Sequence, residues 1–118
     1  MSMSSGKNPS KREAARMGAI KDGACVIAMY RLQRSLPCEV HHLTVGGKHG
    51  APRRGHRFTV GINQWSHRGM LVVDGWTEAQ HKSKLGPSYA KEPRAFRQMF
   101  SDDWLLAETD KLIGWVEA

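Results

Sequence analysis

Two short apolar segments separated by a glycine- and arginine-rich stretch constrain the fold of this chain most strongly. The segments at 37–44 (PCEVHHLT) and 57–62 (RFTVGI) have the length and composition of β-strands. Between them, residues 46–57 (GGKHGAPRRGHR) include five glycines or prolines and carry a net charge of +4. We therefore predict two strands joined by a long cationic loop, and long loops inside small domains are usually functional.

Helix-capping residues predict helices before and after the strand pair. Ser10 and Glu13 have the spacing of a capping box, so we expect a helix that begins there and ends at about Gly18–Asp22. Asn63 is suited to cap a short helix, and Gly69 is suited to close it. The expected order is therefore helix, strand, long loop, strand and helix.

The last third of the chain predicts two more helices. The first begins at Pro93, and the second is capped by Ser101, with Asp102 and Asp103 at its positive N-terminal end. Residues 81–93 are expected to form an irregular connector. The apolar residues expected to face the core are Trp65, Trp76, Phe96, Met99, Phe100, Leu105, Leu112 and Trp115.

Charge is distributed unevenly along the 118 residues, a length that suits one domain with one core. Within a total net charge of +7, residues 1–57 carry +8 and residues 102–118 carry −4. A basic first half fits a polyanionic partner, although a solvated basic surface would have the same composition. We expect residues 1–9 to be a disordered basic tail and residues 10–118 to form a single α+β domain.

The cysteines and apolar runs indicate the compartment. Two cysteines thirteen residues apart, Cys25 and Cys38, do not make a disulfide framework, so we expect a reducing cytoplasm. The N-terminal segment has no apolar core like that of a signal peptide. The apolar run at 24–30 is too short to span a bilayer. The wider segment 23–32 fits either the end of the first helix or a buried strand. We therefore expect a soluble protein without a membrane partner.

The histidines form the most unusual pattern in the sequence. His41 and His42 are adjacent in the first predicted strand, where their rings would point to opposite faces unless the strand ends or bulges before Gly46–Gly47. His67 follows Asn63 by four residues, so both would face one direction on a helix. Each also has an ordinary interpretation, Asn63 as a helix cap only and His67 as a solvated residue at the helix C-terminus. His49 and His56, beside the loop arginines, are expected to add to an exposed basic patch, and His81 is expected either to be exposed or to lie near the site.

Two strands and a short helix, with a His-His pair on the first strand and a histidine on the helix, resemble the HNH, or ββα-metal, nucleases. The resemblance implies a small ββα-metal core flanked by an N-terminal helix and C-terminal helices. It implies His42 as the general base, His41 and His67 as metal ligands, and Asn63 as a third ligand or an orienting residue. It also implies one divalent cation, and the sequence does not distinguish Mg, Mn, Ni and Zn.

The residue types suit this chemistry. An imidazole can deprotonate water near neutral pH, and a divalent cation neutralises the charge that develops when a phosphodiester is cut.

The order of segments over roughly residues 10–112 is also similar to the recombination enhancement (Ref) family of phage proteins, which are RecA-dependent nucleases. The segments that carry this likeness are GACVIA, CEVHHL, RGHRFTVGINQWSHRG and GPS…FRQMF. The likeness implies a phage-derived DNA nuclease that is linked to recombination and works with a RecA filament. It places the protein in the cytoplasm of an infected or lysogenic bacterium.

The chain departs from that family at its cysteines. Relatives carry Cys-x-x-Cys where this chain has Cys25-Val-Ile-Ala28, and a cysteine where Asn63 stands. If those cysteines hold a structural zinc in relatives, the site is expected to be lost here, since two thiolates rarely hold zinc alone.

Basic side chains in the loop and near the N-terminus are expected to contact DNA phosphates without reading sequence. The predicted contacts are Lys7, Lys11, Arg12, Lys48, Arg53, Arg54 and Arg57. A second interpretation is a non-catalytic DNA-binding accessory protein with the same fold. A third is a small toxin-like ribonuclease or bacteriocin nuclease.

Overall fold

The chain folds as a two-stranded antiparallel sheet surrounded by helices, an α+β arrangement. This is seen in a computed structural model, which describes residues 8–48 and 50–117. The elements are α1 (Lys11–Lys21), α2 (Val26–Leu32), β1 (Cys38–His42), β2 (Thr59–Asn63), α3 (Gln64–Arg68), α4 (Glu78–Leu85), α5 (Pro93–Met99) and α6 (Asp102–Ile113), with a 3-10 turn at Val45–Gly47.

The predicted strand–loop–strand arrangement is confirmed. β1 and β2 pair with an unbroken antiparallel register that ends with His42 opposite Thr59. A single bridge between Thr44 and Arg53 holds the base of the loop that connects the strands. β1 therefore reaches His42 without a bulge, and the rings of His41 and His42 lie on opposite faces of the sheet.

The core forms around β2, whose five residues are all buried. Helices α1, α2 and α6 all contact this strand. At Gly61 the backbone of β2 comes so close to the start of α2 that a Cβ atom would lie 1.8 Å from the carbonyl oxygen of Ala24. The buried cluster consists of Val26, Ile27, Leu43, Val60, Ile62, Trp65, Leu85, Tyr89, Phe96, Phe100 and Leu105.

A buried arginine joins α1 to β2 and α6. The Arg16 Nε–H donates to Thr59 Oγ1 at 3.0 Å, and Arg16 Nη1 lies 2.7 Å from a carboxylate oxygen of Asp110. Burial of a guanidinium is costly unless it is paired, so these contacts fix how α1 lies against the sheet.

The predicted caps are confirmed where they were expected. Ser10 and Glu13 form a reciprocal capping box at the start of α1. The Asn63 side chain accepts from the Ser66 N–H at the start of α3, and Gly69 ends that helix in the left-handed conformation at φ 75°. Ser101 caps α6 in the same way. These local signals define helix ends because the cap satisfies backbone groups that the helix leaves unpaired.

The expectation of an irregular connector over 81–93 is wrong for its first part. Residues 78–85 form α4, which begins at a capping box between Thr77 and Gln80. The expected exposure of His81 is also wrong, because its ring is 0% exposed. Its Nδ1–H donates to the Thr77 carbonyl, and its Nε2 accepts from the backbone N–H groups of Val72 and Val73.

Some expected core residues lie elsewhere. Met99 and Leu112 are exposed, although Phe96 and Leu105 on the same two helices, and Phe100 at the end of α5, are buried. Trp115 follows the end of α6 and packs against arginine side chains. The apolar run at 23–32 includes the separate helix α2.

Two of the expectations concern residues that lie outside the described ranges. These are residues 1–7 of the predicted tail, and His49. No helix in the described ranges has both the length and the apolar character needed to cross a membrane.

Candidate functional site

A groove of about 700 Å³ runs along β1, and three of the sequence-predicted residues line it, His42, His67 and Arg53. Residues of α1 line one side, and His67 and Arg68 of α3 line the other. The lining residues from β1 and the loop are Cys38, Glu39, Val40, His42 and Arg53. In the described part of the chain β1 pairs with β2 alone, so its other edge is available to this groove.

His41 and His67 form a pair of imidazoles. Their ring centroids are 5.0 Å apart with the planes inclined at 68°. His41 is only 7% exposed and packs on its other side against the Tyr89 ring, at a centroid distance of 4.7 Å. The strand and the helix that follows the second strand therefore place these two imidazoles side by side.

Glu39 orients the His67 ring. Its Oε1 lies 2.9 Å from His67 Nδ1, and because a carboxylate only accepts, the ring must carry its proton on that nitrogen. In the neutral ring this leaves Nε2 as the nitrogen with the lone pair. The Gln64 side chain donates to Glu39 Oε2, and Arg68 Nε lies 3.0 Å from Oε1. Burial opposes ionisation of Glu39, but the bonds from His67 and Gln64 lower its pKa below the ordinary value.

Both histidines of β1 are neutral at physiological pH. Burial lowers the pKa of His41 to about 3, and the nearby charges of His67 and Arg97 add to the effect. Burial, followed by the charges of Arg53 and His56, lowers the pKa of His42 to about 4. A neutral imidazole has a lone pair, which both a metal ligand and a general base require.

His42 lies on the other face of β1 and contacts His56. Its Nε2 is 3.0 Å from His56 Nδ1, and the ring centroids are 5.2 Å apart. The expectation that His56 adds to an exposed basic patch is wrong, because the residue is 7% exposed. The turn that leads into β2 buries it, and its carbonyl accepts from the Thr59 hydroxyl.

Asn63 does not face the imidazole pair in the way its helical spacing to His67 suggested. It is the N-cap rather than a residue of α3, and its side chain is completely buried. Oδ1 accepts from the Ser66 N–H, and Nδ2 donates to Ser66 Oγ and to Cys25 Sγ at 3.7 Å. These bonds occupy the amide, so Asn63 acts as a cap, and its assignment as a third ligand is corrected.

The groove is bordered by three cations. Arg53 was predicted from the loop, whereas Lys21 from α1 and Arg68 from α3 were not. Lys21 ends α1, where a cation suits the helix dipole, so its position has a structural explanation as well.

Two of the predicted DNA contacts are held in a different cluster. Arg12 and Arg57 lie over the Trp115 ring at 4.1 Å and 5.2 Å. Arg57 is also paired with Asp110 and Glu117. The remaining predicted contacts lie elsewhere: Lys11 is exposed at the start of α1, Lys48 is exposed in the loop, Arg54 lies over the Phe58 ring, and Lys7 falls outside the described residues.

The two cysteines form a thiol pair rather than part of a larger ligand set. Cys25 is buried, and a hydrogen bond from Cys38 lowers the pKa of its thiol to about 7. The same interaction, together with burial, raises the pKa of Cys38. Within 8–48 and 50–117, no three His, Cys, Asp or Glu side chains are grouped so that they could hold a metal ion.

The imidazole pair nevertheless fits a divalent cation as part of its ligand set. Among the described residues, no hydrogen bond occupies a ring nitrogen of His41, and the Glu39 bond leaves His67 Nε2 available. A carboxylate bonded to the second nitrogen of a ligating histidine is the usual support for such a ligand. Two protein ligands leave the other coordination positions to water or phosphate oxygens, and imidazole ligands suit Zn²⁺ and Ni²⁺ better than Mg²⁺.

Comparison of the chain with protein families, curated proteins and solved structures found no match. The function is therefore argued from the residues of this chain.

Sequence reasoning missed Glu39, Tyr89 and the partnership of His56. Glu39 was detectable, because residues two apart in a strand share a face and Glu39 precedes His41 by two. Tyr89 and His56 come from irregular segments, for which the sequence carries no periodic signal.

Proposed function

We propose that the chain is a metal-dependent DNA endonuclease of the HNH type, phage-derived and linked to recombination. The observation that carries this proposal is the pairing of His41 with His67, with Glu39 bonded to Nδ1 of His67 and with His42 next to His41 in the chain on the opposite face of β1. Strand β1 and the short helix α3 supply these side chains in the order along the chain that the resemblance implies.

Each side chain has a defined role in phosphodiester hydrolysis. His41 and His67 would hold the cation, and Glu39 fixes the tautomer and orientation of His67. His42 accepts a proton from the attacking water, whose oxygen then forms a bond to phosphorus as the bond to the leaving oxygen breaks. The cation, when bound, neutralises charge on the phosphate oxygens and on the leaving oxygen.

The cations of the groove would hold the DNA backbone. Arg53, Lys21 and Arg68 border the same groove as His42. Contacts from such residues to phosphates position a strand without reading its sequence, and binding weakens as salt increases. We therefore propose DNA as the substrate and expect little sequence preference.

The proposal is tested by cleavage of supercoiled plasmid with Mg²⁺, Mn²⁺ or Ni²⁺. We expect wild-type protein to nick the plasmid and His42→Ala to be slower by roughly 10²- to 10⁴-fold. DNA binding, measured by gel shift, should be retained by this variant. Arg53→Ala should weaken binding, whereas Lys111→Ala, which removes the same charge from an exposed site on α6, should not.

An accessory role without catalysis is the second candidate. It is favoured by the incomplete ligand set, since the described residues supply two imidazoles at this position and no third ligand. If wild-type protein and His42→Ala shift DNA equally, and neither cuts with any of the metals or with a RecA filament added, the accessory function is correct. Cleavage that appears only with RecA would instead support the partner that the Ref resemblance implies.

A further inference from the structure

The contact between His42 and His56 joins the proposed general base to a residue with no assigned role. His42 Nε2 lies 3.0 Å from His56 Nδ1, within hydrogen-bond distance for two nitrogens. His56 is held by the turn at the start of β2, where its carbonyl accepts from the Thr59 hydroxyl at 2.9 Å. Thr59 in turn accepts from the buried Arg16 guanidinium. His56 is therefore a fixed partner for the His42 ring.

The tautomers of the two rings are linked by this bond. A neutral imidazole has one N–H and one lone pair, so one ring donates and the other accepts. If His56 donated, the lone pair on His42 Nε2 would be occupied and the His42 proton would be on Nδ1. That arrangement leaves His42 without a free basic nitrogen. If His42 donates from Nε2, the lone pair on its Nδ1 is free.

We propose that His56 is a positioning residue that accepts the Nε2–H of His42 and thereby holds the basic lone pair of His42 on Nδ1. This inference rests on the proposed function, because it assigns His42 the role of base. When His42 takes a proton from water at Nδ1, its Nε2–H becomes a charged donor. The bond to His56 then strengthens, since hydrogen bonds from an ionised donor are stronger than neutral ones.

The arrangement places the proton of His56 on Nε2. That nitrogen is buried and has no hydrogen-bond partner among the described residues. An unpaired buried N–H is costly, so this arrangement carries a free-energy penalty that the opposite tautomers would avoid. The tautomer of the pair therefore discriminates between a catalytic arrangement and a purely structural one.

The first test is spectroscopic and does not depend on nuclease activity. Long-range ¹H–¹⁵N correlation spectra of the full chain, labelled at histidine and kept free of added metal, report which ring nitrogens carry protons. We expect a protonated His42 Nε2, an unprotonated His56 Nδ1 and a scalar coupling between these two nitrogens across the hydrogen bond. A protonated His56 Nδ1, or the absence of the coupling, would overturn the proposal.

The second test compares two amides of the same chemistry at position 56. Asparagine places its side-chain oxygen near the position of Nδ1, whereas glutamine places its amide near the position of Nε2. We expect His56→Gln and His56→Leu to lower the cleavage rate by roughly 10- to 100-fold. His56→Asn should recover most of that loss, with DNA binding unchanged in all three variants. Equal rates for His56→Asn and His56→Gln, when both have the wild-type melting temperature, would contradict the role assigned to His56.

The two proposals fail in different ways. If wild-type protein does not cut DNA under any condition, the proposed nuclease function is wrong, and the spectra still show whether His56 accepts from His42. If wild-type protein cuts DNA but the spectra show the opposite tautomers, only the role of His56 is wrong.

Discussion

Glu39 is the residue on which the geometry around His67 depends. One carboxylate accepts from the His67 ring and the Gln64 amide and lies against the Arg68 guanidinium. Such a carboxylate fixes the ring and raises the basicity of its free nitrogen, and its loss typically weakens metal binding by roughly 10- to 100-fold.

We predict that Glu39→Gln reduces affinity for Mn²⁺ or Ni²⁺ by at least roughly 10-fold. The glutamine keeps the size of the side chain and loses the charge. Isothermal titration calorimetry measures the change. Glu78→Gln, which neutralises an exposed carboxylate on α4, is the matched control and should bind as wild type does. Equal affinities for the two variants would show that Glu39 does not support a metal ligand.

At Gly61, close backbone packing leaves no room for a side chain. We predict that Gly61→Ala destabilises the fold by at least about 3 kcal/mol, because its Cβ would collide with the Ala24 carbonyl. Gly18→Ala is the control, since Gly18 lies inside α1 with open space around it and should stabilise by about 0.5–1 kcal/mol. Urea unfolding gives both values. A mild effect at Gly61 would mean that β2 and α2 separate easily.

At the scale of elements, the sequence was informative where a cap or an alternation set a local pattern. Ser10, Asn63 and Ser101 each mark a helix start that the structure contains. The helix α4 was missed even though Thr77 and Gln80 form a capping box, because the helix is polar and lacks an apolar stripe. Burial of His81 depends on backbone groups of a preceding irregular segment, and no sequence period encodes such a contact.

His81 connects helix α4 to the irregular segment that precedes it, and a substitution at this position tests the connection. We predict that His81→Phe destabilises the protein by about 2–4 kcal/mol although ring size is similar, because the backbone N–H groups of Val72 and Val73 lose their acceptor. Chemical denaturation measures the loss. Gln80→Ala, one residue away and exposed, should cost about 1 kcal/mol or less. If the phenylalanine variant is as stable as wild type, these amides do not depend on the imidazole.

At the scale of the whole molecule, the neutral histidines make stability depend on pH. In the unfolded chain His41 and His42 titrate at about 6.5, whereas in the fold their pKa values fall to about 3 and about 4. At pH values between the folded and the unfolded pKa, the unfolded chain binds more protons than the folded chain does. The free energy of unfolding therefore rises with pH in this range. The contribution is complete above about pH 6.5 and is lost progressively as the pH falls toward 4.

We predict that the metal-free protein becomes less stable from pH 6.5 to 5, and that His41→Gln reduces this slope by up to about 1.4 kcal/mol per pH unit. Glu39 does not contribute in this window, because it titrates below its ordinary value of 4.5. Urea unfolding at several pH values in the presence of a chelator provides the measurement. An identical slope in wild type and variant would show that the His41 ring is not held neutral by the fold.

The cluster around Trp115 has a consequence for how the molecule meets a polyelectrolyte. Asp110 and Glu117 offset the charges of Arg16 and Arg57 there, whereas Arg53 and Lys21 at the groove form no ion pair with another described residue. The electric field around the protein is then asymmetric. It would orient a charged partner that approaches by diffusion, before the two molecules come into contact. The fraction of collisions that lead to binding would then be higher than random orientation gives. The increase would be largest at low ionic strength.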